Sequence, residues 1–409
     1  MEELINFNLS ERIQFYLFYF LILIFSIMQS IYSLYNLTQY DFQVNGIEYS
    51  TIGTTINENL ICSSWHSSSY LVNYLGLKKN GRPYFSQQGK EAIFYNTITT
   101  RYKTEGIIYG INLKNGEDNQ EYIISFGNNQ ANFELYNFNN EPAEIFSKDG
   151  TSFFSTNYNS FSQVSIFNLK SSKDSYIFAF IANDNDEHWT KAFFFYKIEF
   201  NIKDINNDIQ IIQKTRVENA YDAHISSCFE TETETKEIFC FYAITETTLR
   251  IIVFKFESDI NILDQMNKER EYWNEDLFYK CVHINGNMGA FLFYKTQNEI
   301  IISFIKYDNN IKQIKEILLN NNGYSNDIRH SDFIKLSDRK ICLFSVSSSF
   351  EEIKIIIIKN YEGELFQLKE YKLNIYEKNR LKIIGGLKTT IFNGFIAMTL
   401  TAQLNYNSI

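Results

Sequence analysis

Along this chain, short runs of β-branched, aromatic and aliphatic residues recur at a nearly constant distance, separated by stretches rich in Asn, Asp and Lys. The runs centred near Ile61, Ile123, Ile177, Ile238, Phe291, Ile341 and Ile396 are spaced by 62, 54, 61, 53, 50 and 55 residues. A period of this size marks a repeated structural unit. Each centre has a strand-like run before it and, after a polar loop, a third run, a tight turn and a fourth. The third runs are the most continuous. Ile251-Ile252-Val253-Phe254, Ile300-Ile301-Ile302-Ser303-Phe304 and Ile355-Ile356-Ile357-Ile358 carry apolar residues at nearly every position, the pattern of strands covered on both faces.

The turns before the fourth runs share a chemistry. Lys79-Asn80-Gly81, Asn139-Asn140-Glu141, Asn206-Asn207-Asp208, Glu257-Ser258-Asp259, Asp308-Asn309-Asn310 and Glu362-Gly363 stand at a common offset in their repeats. Asn, Asp and Gly tolerate the positive φ that tight hairpins need. The expected fold is therefore all-β. Four-stranded units at this period resemble the blades of a β-propeller. The resemblance is to the architecture alone: no repeat ends in Trp-Asp as WD40 blades do, and Gly385-Gly386 is the single Gly pair where kelch blades carry one each. Ser147-Lys148-Asp149-Gly150-Thr151 lacks a spacer of the sialidase-type Asp box, and no blade has an integrin-type calcium loop. No family residue carries over.

The seventh repeat has a first run near Leu381 and a second near Phe395, and then the sequence stops. At the other end, Asp41-Phe42-Gln43-Val44 and Ile47-Glu48-Tyr49-Ser50 flank Asn45-Gly46, a strong hairpin signal. That hairpin is expected to complete the last blade. Residues 40–409 then form a propeller of roughly seven blades, closed by the N-terminal hairpin. A truncated propeller or a stack of two-sheet sandwiches is the rival arrangement.

Before the repeats, residues 15–35 hold no charge and are apolar apart from Ser26, Gln29, Ser30 and Ser33. About 20 such residues suffice to cross a bilayer. They read as one hydrophobic N-terminal helix, a signal peptide or a signal anchor, with residues 1–14 as its flank. Arg12 lies before the segment and the first basic residue after it is Lys78, a bias that favours an exported body. Small residues for cleavage are sparse, so both fates stay open, as does a buried helix of a cytosolic protein. Asn36-Leu37-Thr38 forms a glycosylation sequon just beyond it.

Composition changes this picture in two ways. Lys and Arg total 38 against 48 Asp and Glu, a net charge of −10, which disfavours an electrostatic nucleic-acid binder. Average usage predicts about 20 Pro and 29 Gly, and the chain has 2 and 17. The few that occur concentrate at hairpins: Gly46, Gly81, Pro83, Pro142 and Gly363.

Candidate chemistry gathers in the connections. Trp65 and His66 fall in the loop between the second and third runs of the first repeat. Asp184, Asp186, His188 and Trp189 fall in that of the third, and Trp273 in the crossing from the fourth to the fifth. His224 and His330 precede first strands. In a propeller these connections share one face, and aromatic rings with carboxylates and imidazoles suit a protein or glycan ligand. The alternative is that the Trp rings cap blade ends and the His side chains bond to neighbouring loops. A calcium loop starting at Asp184 would need Gly where Trp189 stands, so that turn reads as solvated. Neither metal nor cofactor is expected. Glu230, Glu232, Glu234 and Glu237 read as a solvated, self-repelling edge on the opposite face.

Five cysteines, Cys62, Cys228, Cys240, Cys281 and Cys342, lack metal or redox spacing. Cys228 and Cys240 lie symmetrically about Glu234, so in a regular hairpin they face each other within reach of a disulfide. Buried free thiols are the alternative. No nucleophile elbow, zincin helix, P-loop or dinucleotide fingerprint occurs. The favoured reading is an exported or membrane-anchored binding or adhesion ectodomain, secreted or held through residues 15–35 if these are uncleaved. The alternatives are a secreted hydrolase acting on carbohydrate or peptide and an intracellular propeller scaffold.

Overall fold

A computed structural model describes the strands from Ile47 to Leu404 and most connections between residues 226 and 361. Side-chain surroundings are described from Ser165 onward; residues 1–46, including the apolar segment 15–35, the sequon at Asn36 and the Asn45-Gly46 turn, lie outside the described residues. Among the described residues no helix is long and apolar enough to cross a membrane. The chain from Asn45 to Ile409 forms one compact unit.

The described elements are strands. The first sheet comprises β1 (Ile47–Ile56), β2 (Asn59–His66), β3 (Ser69–Gly76) and β4 (Tyr95–Thr100), and the second β5 (Gly106–Asn115), β6 (Asp118–Gly127), β7 (Asn132–Asn137) and β8 (Ala143–Asp149). The third holds β9 (Ser165–Asn168), β10 (Ser175–Asn183), β11 (Lys191–Phe200) and β12 (Ile209–Ala220). The fourth holds β13 (Ser226–Glu230), β14 (Ile238–Ala243), β15 (Thr248–Phe256) and β16 (Ile260–Glu269). The fifth holds β17 (Lys280–Asn285), β18 (Met288–Thr296), β19 (Glu299–Tyr307) and β20 (Ile311–Asn320). The sixth holds β21 (Ser331–Ser337), β22 (Lys340–Val346), β23 (Glu352–Tyr361) and β24 (Leu365–Asn374), and β25 (Leu381–Phe392) pairs with β26 (Phe395–Leu404).

Each four-stranded sheet is an antiparallel meander in chain order. First strands neighbour one another: β1 beside β5, β9 beside β13, then β17, β21 and β25 in turn, with β25 beside β1. This succession of innermost strands, from β9 through β25 to β1 and β5, is the architecture of a β-propeller. All seven periodic centres of the sequence fall on second strands, and Asp308-Asn309-Asn310 joins the third strand of its sheet to the fourth, while the other expected turns lie wholly or partly outside the described residues. Asn309 takes φ 59° in such a turn, the left-handed conformation that Asn tolerates.

One sequence expectation changes. Ile47-Glu48-Tyr49-Ser50 opens β1 and bonds to β2, with Ile47 opposite His66 and Ser50 opposite Ser64, while the other half of the expected closing hairpin, residues 41–44, lies outside the described residues. The strand continues to Ile56, ten residues in all, with register shifts at Ile47/Tyr49 and Ile52/Thr54. Trp65 and His66 likewise end β2, opposite Tyr70 and Ser69, rather than lying in the loop after it.

The cores sit between sheets and follow from alternation along strands. On β14, Ile238, Cys240 and Tyr242 pack toward the third sheet with Phe193, Phe195 and Ile177. Phe239, Phe241 and Ala243 pack toward the fifth with Phe291 and Phe293. Every β14 residue is consequently buried. Phe193 stacks on Tyr242 at 4.4 Å and Phe229 on Phe239 at 4.9 Å. Gly289 is required for close approach: a Cβ there would lie 2.1 Å from the Phe229 ring. Fourth strands form the outer edge, where irregular pairing recurs at Phe193/Phe194, Val253/Phe254 and Phe304/Ile305. Such bulges add twist and blunt an exposed edge.

Candidate functional site

In these meanders the connections between strands 2 and 3, and those leading from strand 4 to the next strand 1, gather at one end of the sheets. The remaining turns gather at the other. Most of the sequence-derived candidates belong to the first end. Trp65 and His66 are placed there by β2, while Asp184, Asp186, His188 and Trp189, His224, and Trp273 belong to connections outside the described residues. The described neighbours of those connections are nonetheless well ordered by hydrogen bonds.

The crossing from β16 to β17 is held from below by the β14–β15 turn. Arg270 N donates to Thr247 O at 2.8 Å and its Nε to Glu246 O at 2.8 Å. Its Nη1 donates to the Tyr279 hydroxyl. On the next crossing, Phe278 N donates to Asn326 O at 3.0 Å and Leu277 bridges Asp327. His330, immediately before β21, is buried; its Nδ1 lies 3.1 Å from Ser325 Oγ and 3.9 Å from an Asp327 oxygen, with the ring edge-on to Phe350. His330 thereby ties its crossing to the sixth sheet. Tyr324 donates to Glu352 at 2.5 Å, and the Lys354 ammonium sits 4.4 Å from the centre of its ring. The Tyr324 hydroxyl and Lys372 hold the Glu352 carboxyl below the usual carboxylate range, while burial lowers Lys354.

At the opposite end lies a cluster that sequence reasoning missed. In the turn read as a solvated row of glutamates, Glu232 and Glu234 are exposed as expected, but Glu237 is built into the fold. Glu237 is buried and accepts from Thr231 Oγ1 at 3.1 Å and Thr233 Oγ1 at 2.5 Å, with Lys255 at 3.6 Å. Glu230 pairs with Lys236 at 3.0 Å. Glu232 reaches across two sheets to Lys335 at 3.2 Å and to His283 Nδ1 at 3.5 Å. Lys335 also meets Asp338 at 2.9 Å. Desolvation pulls the His283 imidazole below its ordinary pKa. Its ring accepts from Lys335 at Nδ1, 3.4 Å away, and donates from Nε2 to Gly286 O at 3.0 Å, the arrangement of a neutral imidazole. These partners lie far apart in sequence, and no local signal pairs them.

A second missed residue is Asp332 on β21. Its carboxylate, almost wholly buried, accepts from Lys280 at 2.6 Å and from both the backbone N and Oγ1 of Thr389 at 2.6 Å. One side chain thus fastens β17, β21 and β25. The only available hint was an Asp inside an otherwise strand-like apolar run.

Cys228 and Cys240 stand directly opposite each other on β13 and β14 and are joined by a disulfide, with Cα atoms 4.2 Å apart. Cys281 and Cys342 are free and buried. Burial pushes the Cys281 thiol up to about 12 and raises Cys342 as well. Alternation along β13 turns Cys228 toward the third sheet and Ser227 toward Cys281, so the free thiol lies on the other face of the sheet from the disulfide. Among the described residues no group of three or more His, Cys, Asp and Glu side chains is arranged to hold a metal ion.

No protein-family model matches this chain, and no curated protein is similar to it in sequence. Among solved structures it is similar to the β-propeller domain of Nup133 from Vanderwaltozyma polyspora, 11% identical over 89% of this chain and 96% of that one, with a TM-score of 0.48. It is also similar to the six-bladed fucose-recognising lectin of Aleuria aurantia, 9% identical over 81% and 97%, TM-score 0.45. A third likeness is to the NanB sialidase of Streptococcus pneumoniae, 11% identical over 89% and 67%, TM-score 0.42.

Proposed function

We propose that this chain is an exported or membrane-anchored binding ectodomain: a seven-bladed propeller, closed between β25 and β1, that recognises a protein or glycan. Residues 15–35 act as its signal peptide or anchor. The observation that carries export is the Cys228–Cys240 disulfide, because such bonds persist in oxidising compartments and are rare in reduced ones. The sequon at Asn36 agrees with that compartment.

The ligand binds at the end bearing the 2–3 and 4–1 connections, through Trp65, Trp189 and Trp273 with His66, Asp184, Asp186, His188 and His224. Support comes from the contrast between the ends. At the opposite end Glu230, Glu232 and Glu237 are engaged in ion pairs, Glu232 across sheets, whereas the sequence concentrates its Trp residues at this end. Large amphipathic rings in such a place supply binding energy at low entropic cost. The test uses the secreted full chain in glycan-array and pull-down measurements. A signal that falls at least tenfold in the Trp189→Ala, Trp273→Ala double variant is expected; unchanged binding overturns the site.

A further inference from the structure

Arg270 is 3% exposed, yet no carboxylate among the described residues pairs with it. Its Nε and Nη1 are used, on Glu246 O and the Tyr279 hydroxyl, and the guanidinium carbon lies 5.1 Å from the centre of the Tyr279 ring. Its Nη2 is buried and meets no acceptor. Among the described residues, the nearby glutamates are engaged elsewhere: Glu271 lies 3.8 Å from Lys295, and the Glu246 side chain accepts from Tyr221. Other buried cations differ. Lys268 has Glu316 at 2.6 Å, and Lys354 donates to Asn320 O at 3.0 Å with Glu370 at 4.0 Å.

A buried charge without a counter-charge, and a buried donor without an acceptor, are both costly. Tyr279 also meets the Tyr294 ring edge-on at 6.5 Å. The Tyr294 hydroxyl is buried, with Ser331 beside it but no well-formed hydrogen bond. Two under-satisfied donors thus flank one tyrosine at the start of β17.

We propose that Arg270, backed by Tyr279 and Tyr294, is a receptor for a small oxyanion, a carboxylate in the first place. The guanidinium brings a full charge and a planar fork that matches carboxylate geometry better than a lysine would. The site lies at the same end of the sheets as the binding face proposed above but does not depend on it, because the anion is read here without the macromolecular ligand.

The test is thermal unfolding of the full chain at constant ionic strength, with chloride replaced stepwise by acetate, sulfate or phosphate. A ligand of the folded state raises Tm with the logarithm of its concentration above Kd, whereas general salt effects are common to every variant. The expected result is a rise of several degrees in the parent chain, absent in Arg270→Met and reduced in Arg270→Lys and Tyr294→Phe. A larger rise with acetate identifies a carboxylate site; a larger rise with sulfate or phosphate identifies a tetrahedral oxyanion at the same fork. Equal shifts in the parent and all soluble variants, or no shift in the parent, overturn the proposal. Tyr294→Phe removes one hydroxyl and keeps the ring, so a readout remains if Arg270→Met fails to fold.

Discussion

The seam between the fourth and fifth sheets and the one joining the fifth, sixth and seventh share an apolar core but fasten their inner strands by different means. In the first, Phe229, Phe239 and Phe241 surround Phe291, with centroids 5.6 to 6.0 Å away, and Gly289 lets the Phe229 ring lie against the backbone. In the second, the Asp332 carboxylate gathers Lys280 and Thr389. The aromatic seam depends mainly on shape, with His283 at its margin, 5.8 Å from the centre of the Phe229 ring. The polar seam adds one buried charge to an apolar core continued by Phe333, Ile341 and Leu343, and because that charge is buried it is costly to leave half-paired. A repeat whose blades diverge this far can therefore be held by different chemistry at each junction while the strand period stays constant.

The largest expected effect breaks the aromatic seam. Phe291→Ala removes the ring shared by three others and should cost about 3–5 kcal/mol in urea unfolding, as large aromatic truncations in cores do. Asp332→Asn keeps the shape of the polar seam and removes its charge, so a loss of about 3 kcal/mol is expected, toward the lower end for a broken buried pair. A loss under a fifth of that would show that Thr389 alone makes the latch. Gly289→Ala sharpens the role of close approach: the new methyl must displace Phe229, for an overpacking cost of about 1–3 kcal/mol. An unchanged midpoint would show the ring to be free to move.

The smallest effect is read through pH. His283 resists protonation in the folded chain because it is desolvated, while the unfolded chain takes the proton at the ordinary imidazole pKa. Stability from this group is therefore present above the usual imidazole range and lost as pH falls through and below it. Glu352, held low by Tyr324 and Lys372, acts with the same sign in the carboxylate range. Denaturant midpoints should fall in two steps on acidification, and His283→Gln should remove the first. A midpoint that is flat from neutrality to the carboxylate range would contradict the environment found for His283.

Much of this fold was legible because it rests on local pattern. Second strands such as β14 and β18 announce themselves by continuous apolar content, and their partners follow within a few residues. Cys228 and Cys240 were legible for the same reason, since a hairpin fixes what lies opposite what. The long β1 was not, because Asn45-Gly46 signals a turn while only pairing with β2 decides how far the strand extends. The Glu230 to Glu237 turn was read only in part, because Glu237 is buried and the exposed Glu232 finds Lys335 103 residues away. Asp332, with partners 52 and 57 residues distant, was silent for that reason too. Polar partners across sheets leave no periodic trace, so the chemistry of the seams emerges only from the folded chain.

The measurement that tests the proposed compartment most directly is differential alkylation of the chain taken from its native location, followed by peptide mapping. Cys228 and Cys240 should be recovered joined to each other, with Cys281 and Cys342 as free thiols that react only after unfolding. Recovery of all four as free thiols in the native chain would contradict an exported ectodomain.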